Sequence, residues 1–519
     1  MAALDGPETA HATAGQDGDE KQPTATTAAA AAAVSRKASG SSSGPDQPRG
    51  LQALPPAAGG DENTALDPRE ERRLLLKLDA FFVPIMMLLY LSCFLDRANI
   101  GNVRVAGMPE AIGATPHQFS IAVSIFYATY VAFEPPWTVM MRRLTPRLLI
   151  TGLCVVWSVA TALTACVGSV AGLYAVRLVL GATEAGLFPA LNLYLTMVYK
   201  RDEQATRVSY LFVCAAVAGA FGGLLAYSIL KMDGVAGLPG WRWVFLLEGL
   251  VSLLVAPVVW FGLPNDPCEA YFLDARERAM MRVRTAQRAR YMGADAFAWH
   301  EVAVALRDPK LYLSAAIQFC QDVLLYGFST FLPSIIVSMG YSPIQAQYLS
   351  IPVYLFGGLA FLCLAFLSDR TRLRGPFVFL ANVPGIVGYL LIICSTSSPV
   401  KFFATFLCAV AVFTGPGLNL TLLNVNVAPH YRRATAIGVQ LSIANSAGIL
   451  AGQVYLKPPY LLGNSVSVAA LGLSQIFIVL NWLYLRRCNR QKARIARGHV
   501  RDQRKVRTGD RELDFKYHL

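Results

Sequence analysis

Charged side chains are scarce in this chain of 519 residues: Asp, Glu, Lys and Arg make up only 15% of it, whereas 54% of the residues are hydrophobic. A soluble protein of this size needs a larger charged surface, so the composition excludes an ordinary water-soluble domain. The apolar residues recur in stretches of about 20, the length that crosses a bilayer core of ~30 Å. One such stretch could be a signal peptide or a buried helix, but about a dozen indicate a polytopic, all-α membrane protein.

The motifs of enzyme and cofactor chemistry are also missing. The ten cysteines are scattered without a Cys-x-x-Cys pair, and we interpret them as small buried hydrophobic residues. The absence of a GxxxxGK[ST] loop argues against an ATP-driven pump, and His300-Glu301 lacks the second histidine of a zinc protease motif. Since no nucleophile–base constellation occurs either, we expect no enzymatic activity, no cofactor and no metal.

The chain divides into two sets of six apolar spans with polar segments around them. We predict a disordered cytoplasmic tail (1–72), a first six-helix bundle (73–263), a central cytoplasmic loop (264–310), a second bundle (311–487) and a basic cytoplasmic tail (488–519). The predicted spans are 79–102, 118–141, 148–167, 171–194, 206–230, 241–263, 311–339, 346–367, 377–395, 401–423, 435–455 and 466–485.

Basic residues alternate between rich and poor loops. The net charge of +13 would suggest nucleic acid in a soluble protein, but here the Lys and Arg residues cluster in every second loop and in the C-terminal tail. Positive charge beside membrane spans sets topology, so we expect no nucleic-acid partner and both termini in the cytoplasm. We expect a monomer in the plasma membrane.

Two pairs of ionisable residues lie inside apolar spans, where each charge costs roughly 2.5–3.5 kcal/mol. Asp96-Arg97 follows an apolar run too short to span alone, so this pair is either an outer-interface ion pair or a substrate and proton site. Arg177 and Glu184 are seven residues apart, which places them on one helix face. They form either a structural network or a site in which a carboxylate exchanges protons as the cation engages an anion.

Two uncharged polar residues are weaker candidates. Tyr130 in the second span could contact a ligand or only pack between helices. Asn445 in the eleventh span could bind a substrate or a neighbouring helix, and the sequence favours neither alternative.

Several ordered motifs carry a family resemblance. They are LDRANIGN at 95–102, RxxxGxxEAGxFP at 177–189, GAFGG at 219–223, GWRW at 240–243, YGFxxFLP at 326–333, SDR at 368–370 and NxxG at 445–448. From about residue 73 to residue 487 the chain resembles the anion:cation symporters of the major facilitator superfamily, in the fungal allantoate permease-like branch. The resemblance implies twelve transmembrane helices in two pseudo-symmetric six-helix bundles.

The same resemblance implies roles for individual residues. In related carriers, the arginines that match Arg97 and Arg177 hold the substrate carboxylate, and the acidic residues that match Asp96 and Glu184 are protonation sites. It also implies that Tyr130 and Asn445 contact the substrate. Asp369 and Arg370 match the second copy of the cytoplasmic loop motif, which implies gating; the first copy departs from the pattern, with Arg142 where an aspartate is usual.

These observations together predict a secondary transporter that takes up a small organic anion with protons by alternating access. A vitamin, ureide or sugar acid would fit. Export of a secondary metabolite would use the same pocket residues, and the sequence discriminates poorly between import and export. A nutrient sensor that binds without transporting would carry a large signalling extension, which the modest tails do not favour.

Overall fold

The computed structural model describes residues 66–140, 144–292, 299–371, 373–428, 430–497 and 509–519. Across these residues the chain is helical and no strand occurs. The α-helices are α1 (Pro68–Val105), α2 (Met108–Ala111), α3 (Pro116–Met140), α4 (Pro146–Thr164), α5 (Val170–Glu184), α6 (Leu187–Val198), α7 (Arg201–Leu230), α8 (Gly240–Gly262), α9 (Ala275–Met292), α10 (Trp299–Leu306), α11 (Pro309–Ser338), α12 (Pro343–Thr371), α13 (Gly375–Cys394), α14 (Ser398–Asn426), α15 (His430–Asn445), α16 (Ala447–Val454) and α17 (Leu461–Ala496).

The twelve predicted spans are confirmed as helices. Within the described ranges, ten helical segments are long and apolar enough to cross a membrane; α5 with α6 forms one of them, and α15 with α16 another. The remaining two are α3 and α7, whose apolar part is Val217–Leu230. The protein is therefore an all-α, multi-pass membrane protein.

Polar caps fix where several of these helices begin. Asp67 precedes α1 and accepts a hydrogen bond from the backbone N–H of Arg69 at 3.0 Å, with Pro68 in the first helical position. Asp308 does the same before α11, where Pro309 follows. A side-chain oxygen at this position satisfies one of the free N–H groups of the first turn, and proline lacks the N–H that would otherwise stay unpaired.

The two halves of the chain repeat the same packing. In the first half, α1 packs on α7 and α4 packs on α8; in the second, α11 packs on α15 and α13 packs on α17. These are the first helix on the fifth and the third on the sixth in each set of six. The halves meet along α1 with α11, α3 with α16, and α7 with α12.

We call the side on which α1 begins and α17 ends the terminal side, and the opposite side the distal side. On the distal side, Arg104 at the end of α1 donates to the backbone oxygens of Tyr455 and Leu456, each at 3.2 Å. In the distal part of α3, Ser124 donates to the backbone oxygen of Ile449 at 2.9 Å. The halves are therefore joined by hydrogen bonds at their distal ends.

The segment between the halves, predicted as a loop, contains the helices α9 and α10. On α9, Arg284 forms ion pairs with Glu71 of α1 and with Glu203 of α7, the second at 2.5 Å. On α10, Glu301 pairs with Arg432 of α15 at 2.9 Å. Each helix is thus bound by ion pairs to the terminal side of one half.

Helical structure continues into both ranges that were predicted as tails. Residues 1–65 of the N-terminal tail lie outside the described residues, and α1 begins at Pro68, inside the range predicted for that tail. At the other end, α17 continues to Ala496, and residues 509–519 pack against the terminal side of the second half.

Asp510 anchors this last segment. Its carboxylate is fully buried and accepts from Lys310, from Arg432 at 2.6 Å and from the Tyr517 hydroxyl at 3.0 Å. Removing one partner of a buried ion pair costs about 3–5 kcal/mol, because the other charges stay buried without compensation. We therefore expect Asp510→Asn to lower the thermal midpoint of the purified protein and to speed hydrogen exchange in 509–519. Unchanged exchange there would show that the ion pairs do not hold the segment.

Acid should release the same segment. Burial opposes ionisation of Asp510, but Lys310 and Arg432 outweigh it and lower the pKa of the carboxyl below its ordinary value. A lowered folded-state pKa adds stability that is complete above the unfolded pKa of about 3.9 and is lost as the pH falls through the folded value. Protection from exchange in 509–519, corrected for the intrinsic exchange rate at each pH, should therefore be constant from pH 7 to 5 and fall only below about pH 4. The Asp510→Asn variant serves as the control, since it lacks the titrating group.

Candidate functional site

A small cavity lies between the two halves of the molecule. It is lined by Arg97, Ile100, Val123, Phe126, Tyr127, Arg177 and Thr330. The first half supplies both arginines, on α1 and α5, and Thr330 comes from α11 in the second half. Both arginines predicted to bind substrate therefore face one cavity.

Arg97 is held by neighbouring side chains. Its Nε donates to Oε2 of Glu184 at 2.8 Å, and the Cys93 thiol donates to the same oxygen at 3.2 Å. The guanidinium also lies over the Tyr130 ring, 4.7 Å from its centre. A cation over an aromatic face is attracted by the ring electrons, so Tyr130 acts here as a support for Arg97.

The structure shows which cation pairs with Glu184. The spacing argument placed Arg177 and Glu184 on one helix face, and Glu184 forms its ion pair with Arg97 of another helix. Seven residues place Arg177 and Glu184 on one face, but the rise of 1.5 Å per residue separates them by about 10 Å along the axis. They face the same region without a direct bond.

Arg177 is a buried cation of the site that lacks an ion pair within the described ranges. Its side chain is 3% exposed, and Nε and Nη2 have no hydrogen-bond partner among the residues that the structure describes. A buried charge without a partner is costly, and a guanidinium presents a planar fork of donors that matches a carboxylate or phosphate. The arrangement therefore has the chemistry of an anion site.

Asp96 does not reach the cavity lining. Successive helical residues point about 100° apart, so Asp96 faces the interior of the first half while Arg97 faces the cavity. It is 4% exposed, and neither carboxylate oxygen has a partner in the described part of the chain. The alternative of an outer-interface ion pair does not fit these positions, because Asp96 is buried and Arg97 pairs with Glu184.

Asn445 links the halves beside the cavity. Its Oδ1 accepts from the Tyr326 hydroxyl at 2.6 Å, and its Nδ2 donates to Oε2 of Glu134 at 3.4 Å. Ser442 also donates to Glu134, at 3.3 Å. Asn445 thus bonds to neighbouring helices, one of the two alternatives that the sequence left open.

Asp369 and Arg370 lie away from this cavity, at the terminal end of α12. Asp369 pairs with Arg374 at 2.8 Å, and both Asp369 and Arg370 are exposed. Arg142, the departure in the other loop copy, lies outside the described residues.

Sequence reasoning missed two buried carboxylates. Asp322 on α11 is 4% exposed and Glu248 on α8 is 6% exposed. Glu248 accepts a hydrogen bond from Asn99, whereas Asp322 accepts one from Gln318 at 3.2 Å. The burial cost that singled out Arg177 applies equally to both, so the signal was present in the sequence.

Comparison with known sequences finds transporters. Residues 86–452 match the family model described as Major Facilitator Superfamily. An uncharacterised transporter of Schizosaccharomyces pombe is 46% identical over 461 residues, which cover 88% of this chain and 92% of that protein. The high-affinity nicotinic acid transporter of Saccharomyces cerevisiae is 32% identical over 455 residues, which cover 86% of this chain and 85% of that protein.

Solved structures with a similar fold are transporters as well. A bacterial homologue of the human lysosomal transporter Spinster, inward-facing and unoccupied, has a TM-score of 0.62 at 17% identity, covering 81% of this chain and 97% of that one. A D-xylose–proton symporter has a TM-score of 0.61 at 13% identity, covering 77% of this chain and 96% of that one. At these identities the likeness shows the fold alone.

Proposed function

The chain belongs to the major facilitator superfamily, and from that premise we propose that it takes up a small organic anion together with protons. Its relatives are transporters and its fold is that of secondary carriers, so the chain is a membrane transporter and not an enzyme. The proposal adds the substrate class, the coupling ion and the direction.

The guanidinium of Arg177 carries the proposal of an anion. It faces the same cavity as Arg97; Glu184 neutralises Arg97, whereas Arg177 has no ion-pair partner among the described residues. An incoming carboxylate would supply both the missing charge and the missing acceptors. The name of the Saccharomyces cerevisiae relative, a nicotinic acid transporter, supports a carboxylate substrate.

We propose that Glu184 couples protons to that anion. When a substrate carboxylate engages Arg97, it competes with Glu184 for the same cation, since one positive charge cannot neutralise two carboxylates. Losing its cation in a buried site favours protonation of Glu184. Binding of the anion and uptake of a proton would then be linked, with Asp96 as a second protonation site deeper in the first half.

The charge of the loops supports an orientation in the membrane. The terminal side carries the basic loops and the α9 and α10 helices, so we place it, with both termini, in the cytoplasm. In the plasma membrane an inward pH gradient would drive uptake. We propose a monomer, since each half completes its own packing and the two halves enclose the cavity.

The test is uptake of labelled nicotinate, allantoate, pantothenate and sugar acids by yeast cells that lack their own permeases. Uptake that rises in acid medium and collapses with an uncoupler is the expected result. No uptake of any compound, with the protein shown at the cell surface, would contradict the proposal and favour export or sensing. Equal uptake with and without the uncoupler would leave a carrier but remove the proton coupling.

A further inference from the structure

The second half of the molecule contains a buried carboxylate that the proposed function does not use. Asp322 lies midway along α11, is 4% exposed, and has no ion-pair partner in the described part of the chain. Its Oδ1 accepts from Nε2 of Gln318 at 3.2 Å, and its Oδ2 has no partner there. A charge inside the membrane costs roughly 2.5–3.5 kcal/mol, and an asparagine would accept the same bond without that cost. The carboxylate is therefore expected to serve a ligand.

A polar network fixes the orientation of Asp322. The Gln318 Oε1 atom accepts from Asn419 Nδ2 at 2.7 Å and from Gln440 Nε2 at 3.4 Å. Because both donors occupy the Gln318 oxygen, its NH₂ group is directed to Asp322. Three helices, α11, α14 and α15, thus hold one oxygen of Asp322 in place and leave the other available.

Asp322 lies on the same helical stripe as the cavity. Residues 322, 326 and 330 of α11 are four apart and share one face. Thr330 lines the cavity, and the Tyr326 ring packs on Tyr127, another lining residue, with ring centres 4.5 Å apart. One further turn, about 6 Å along the axis, leads from Tyr326 to Asp322. Asp322 does not itself line the cavity, so a ligand would reach its second oxygen by extending past the two tyrosines.

We propose that Asp322 binds an N–H-bearing group of the substrate, at the end opposite the carboxylate that Arg97 and Arg177 hold. This inference rests on the proposed function and narrows its substrate class to carboxylates that carry an ammonium, ureido or amide nitrogen. Carboxylate oxygens accept only, and they bind N–H donors most strongly when the acceptor or donor is charged. Such a substrate would bind Arg97 and Arg177 of the first half with its carboxylate and Asp322 of the second half with its N–H group.

The test uses two carboxylates with the same heavy-atom skeleton. 3-Ureidopropanoate carries N–H donors, and 5-oxohexanoate has carbon in place of both nitrogens. Uptake of each, labelled, is measured with the wild type, with Asp322→Asn and with a matched carboxylate-to-amide control, Asp274→Asn, at an exposed position just before α9. Binding of each compound to the purified proteins is followed by thermal shift, which does not depend on coupling.

The wild type and the Asp274→Asn control should bind and transport 3-ureidopropanoate at least ten-fold better than 5-oxohexanoate. Asp322→Asn should lose that preference through weaker binding of the ureido compound, with 5-oxohexanoate handled as before; this second compound also reports that the variant is folded. Equal preference in the wild type, with acid-stimulated uptake of both, would overturn the inference and leave the proposed function standing. If Asp322→Asn loses binding and uptake of both compounds equally, the inference is overturned, and Asp322 has a coupling or structural role instead. If the wild type neither binds nor transports any carboxylate, the proposed function falls and this inference with it.

Discussion

Arg177→Gln is expected to lower the apparent affinity for a transported carboxylate by about a hundred-fold or more. The guanidinium is buried beside the cavity, two of its nitrogen atoms have no hydrogen-bond partner among the described residues, and hydrogen bonds to charged groups contribute about 1.5–3 kcal/mol each. Losing two such bonds amounts to about 3–6 kcal/mol, and each 1.4 kcal/mol is a factor of ten. The measurement is the concentration dependence of uptake, normalised to the amount of protein at the cell surface.

Two further variants serve as comparisons: one keeps the charge of Arg177 but changes its shape, and the other removes an exposed arginine elsewhere. Arg177→Lys keeps a cation but loses the planar fork, so we expect an intermediate loss of about ten-fold. Arg276→Gln removes an arginine of α9 whose side chain is 77% exposed, and it should leave uptake unchanged. Wild-type affinity in Arg177→Gln, at normal surface level, would show that this arginine is not a substrate ligand.

The sequence predicted the helices well because bilayer thickness and backbone hydrogen bonding leave few choices for an apolar stretch of about 20 residues. It predicted less about the polar segments. The stretch 264–310 was expected as a loop, yet α9 and α10 form there because ion pairs such as Arg284 with Glu71 tie them to the bundles. Those partners are more than 200 residues apart, and no local pattern indicates the pairing.

The candidate site could be predicted in its residues but not in its contacts. The cost of burying charge identified Arg97, Arg177 and Glu184, because that cost depends only on position within an apolar span. Which cation pairs with Glu184 depends on how α1 and α5 are rotated and shifted against each other. That geometry is set by interhelical packing, so the spacing argument could place Arg177 and Glu184 on one face but could not identify the ion pair with Arg97.

Asp322 and Asn445 differ in how far the sequence alone indicates them. Asp322 is a charged residue inside an apolar span, so the cost of burying charge is enough to identify it. For Asn445, both alternatives were open in the sequence, and the contact with Tyr326 at 2.6 Å depends on α11 and α15 lying side by side. Polar residues of neighbouring helices can be matched only when the packing is known.

Glu184→Gln is expected to abolish accumulation driven by a pH gradient and to leave exchange of substrate across the membrane. The amide has the shape of the carboxylate and can still accept from Arg97 and Cys93, but it cannot bind and release a proton. One pH unit corresponds to 1.36 kcal/mol, a ten-fold concentration ratio for one coupled proton. With a gradient of two units, the wild type should accumulate substrate up to about 100-fold, and the variant about one-fold.

Two control variants test whether accumulation is lost because Glu184 can no longer bind and release a proton. Cys93→Ala removes the other donor to Glu184 without altering charge, so coupling should persist. Glu134→Gln changes a different buried carboxylate, on α3, which accepts hydrogen bonds from Asn445 and Ser442, and this variant should also stay coupled. Counterflow in vesicles without a pH gradient measures exchange, and accumulation with one measures coupling. If Glu184→Gln retains both exchange and accumulation, the coupling proton binds elsewhere. Asp96→Asn would then be the variant expected to lose accumulation. Asp96 is the other proposed protonation site, and it is buried without a hydrogen-bond partner among the described residues.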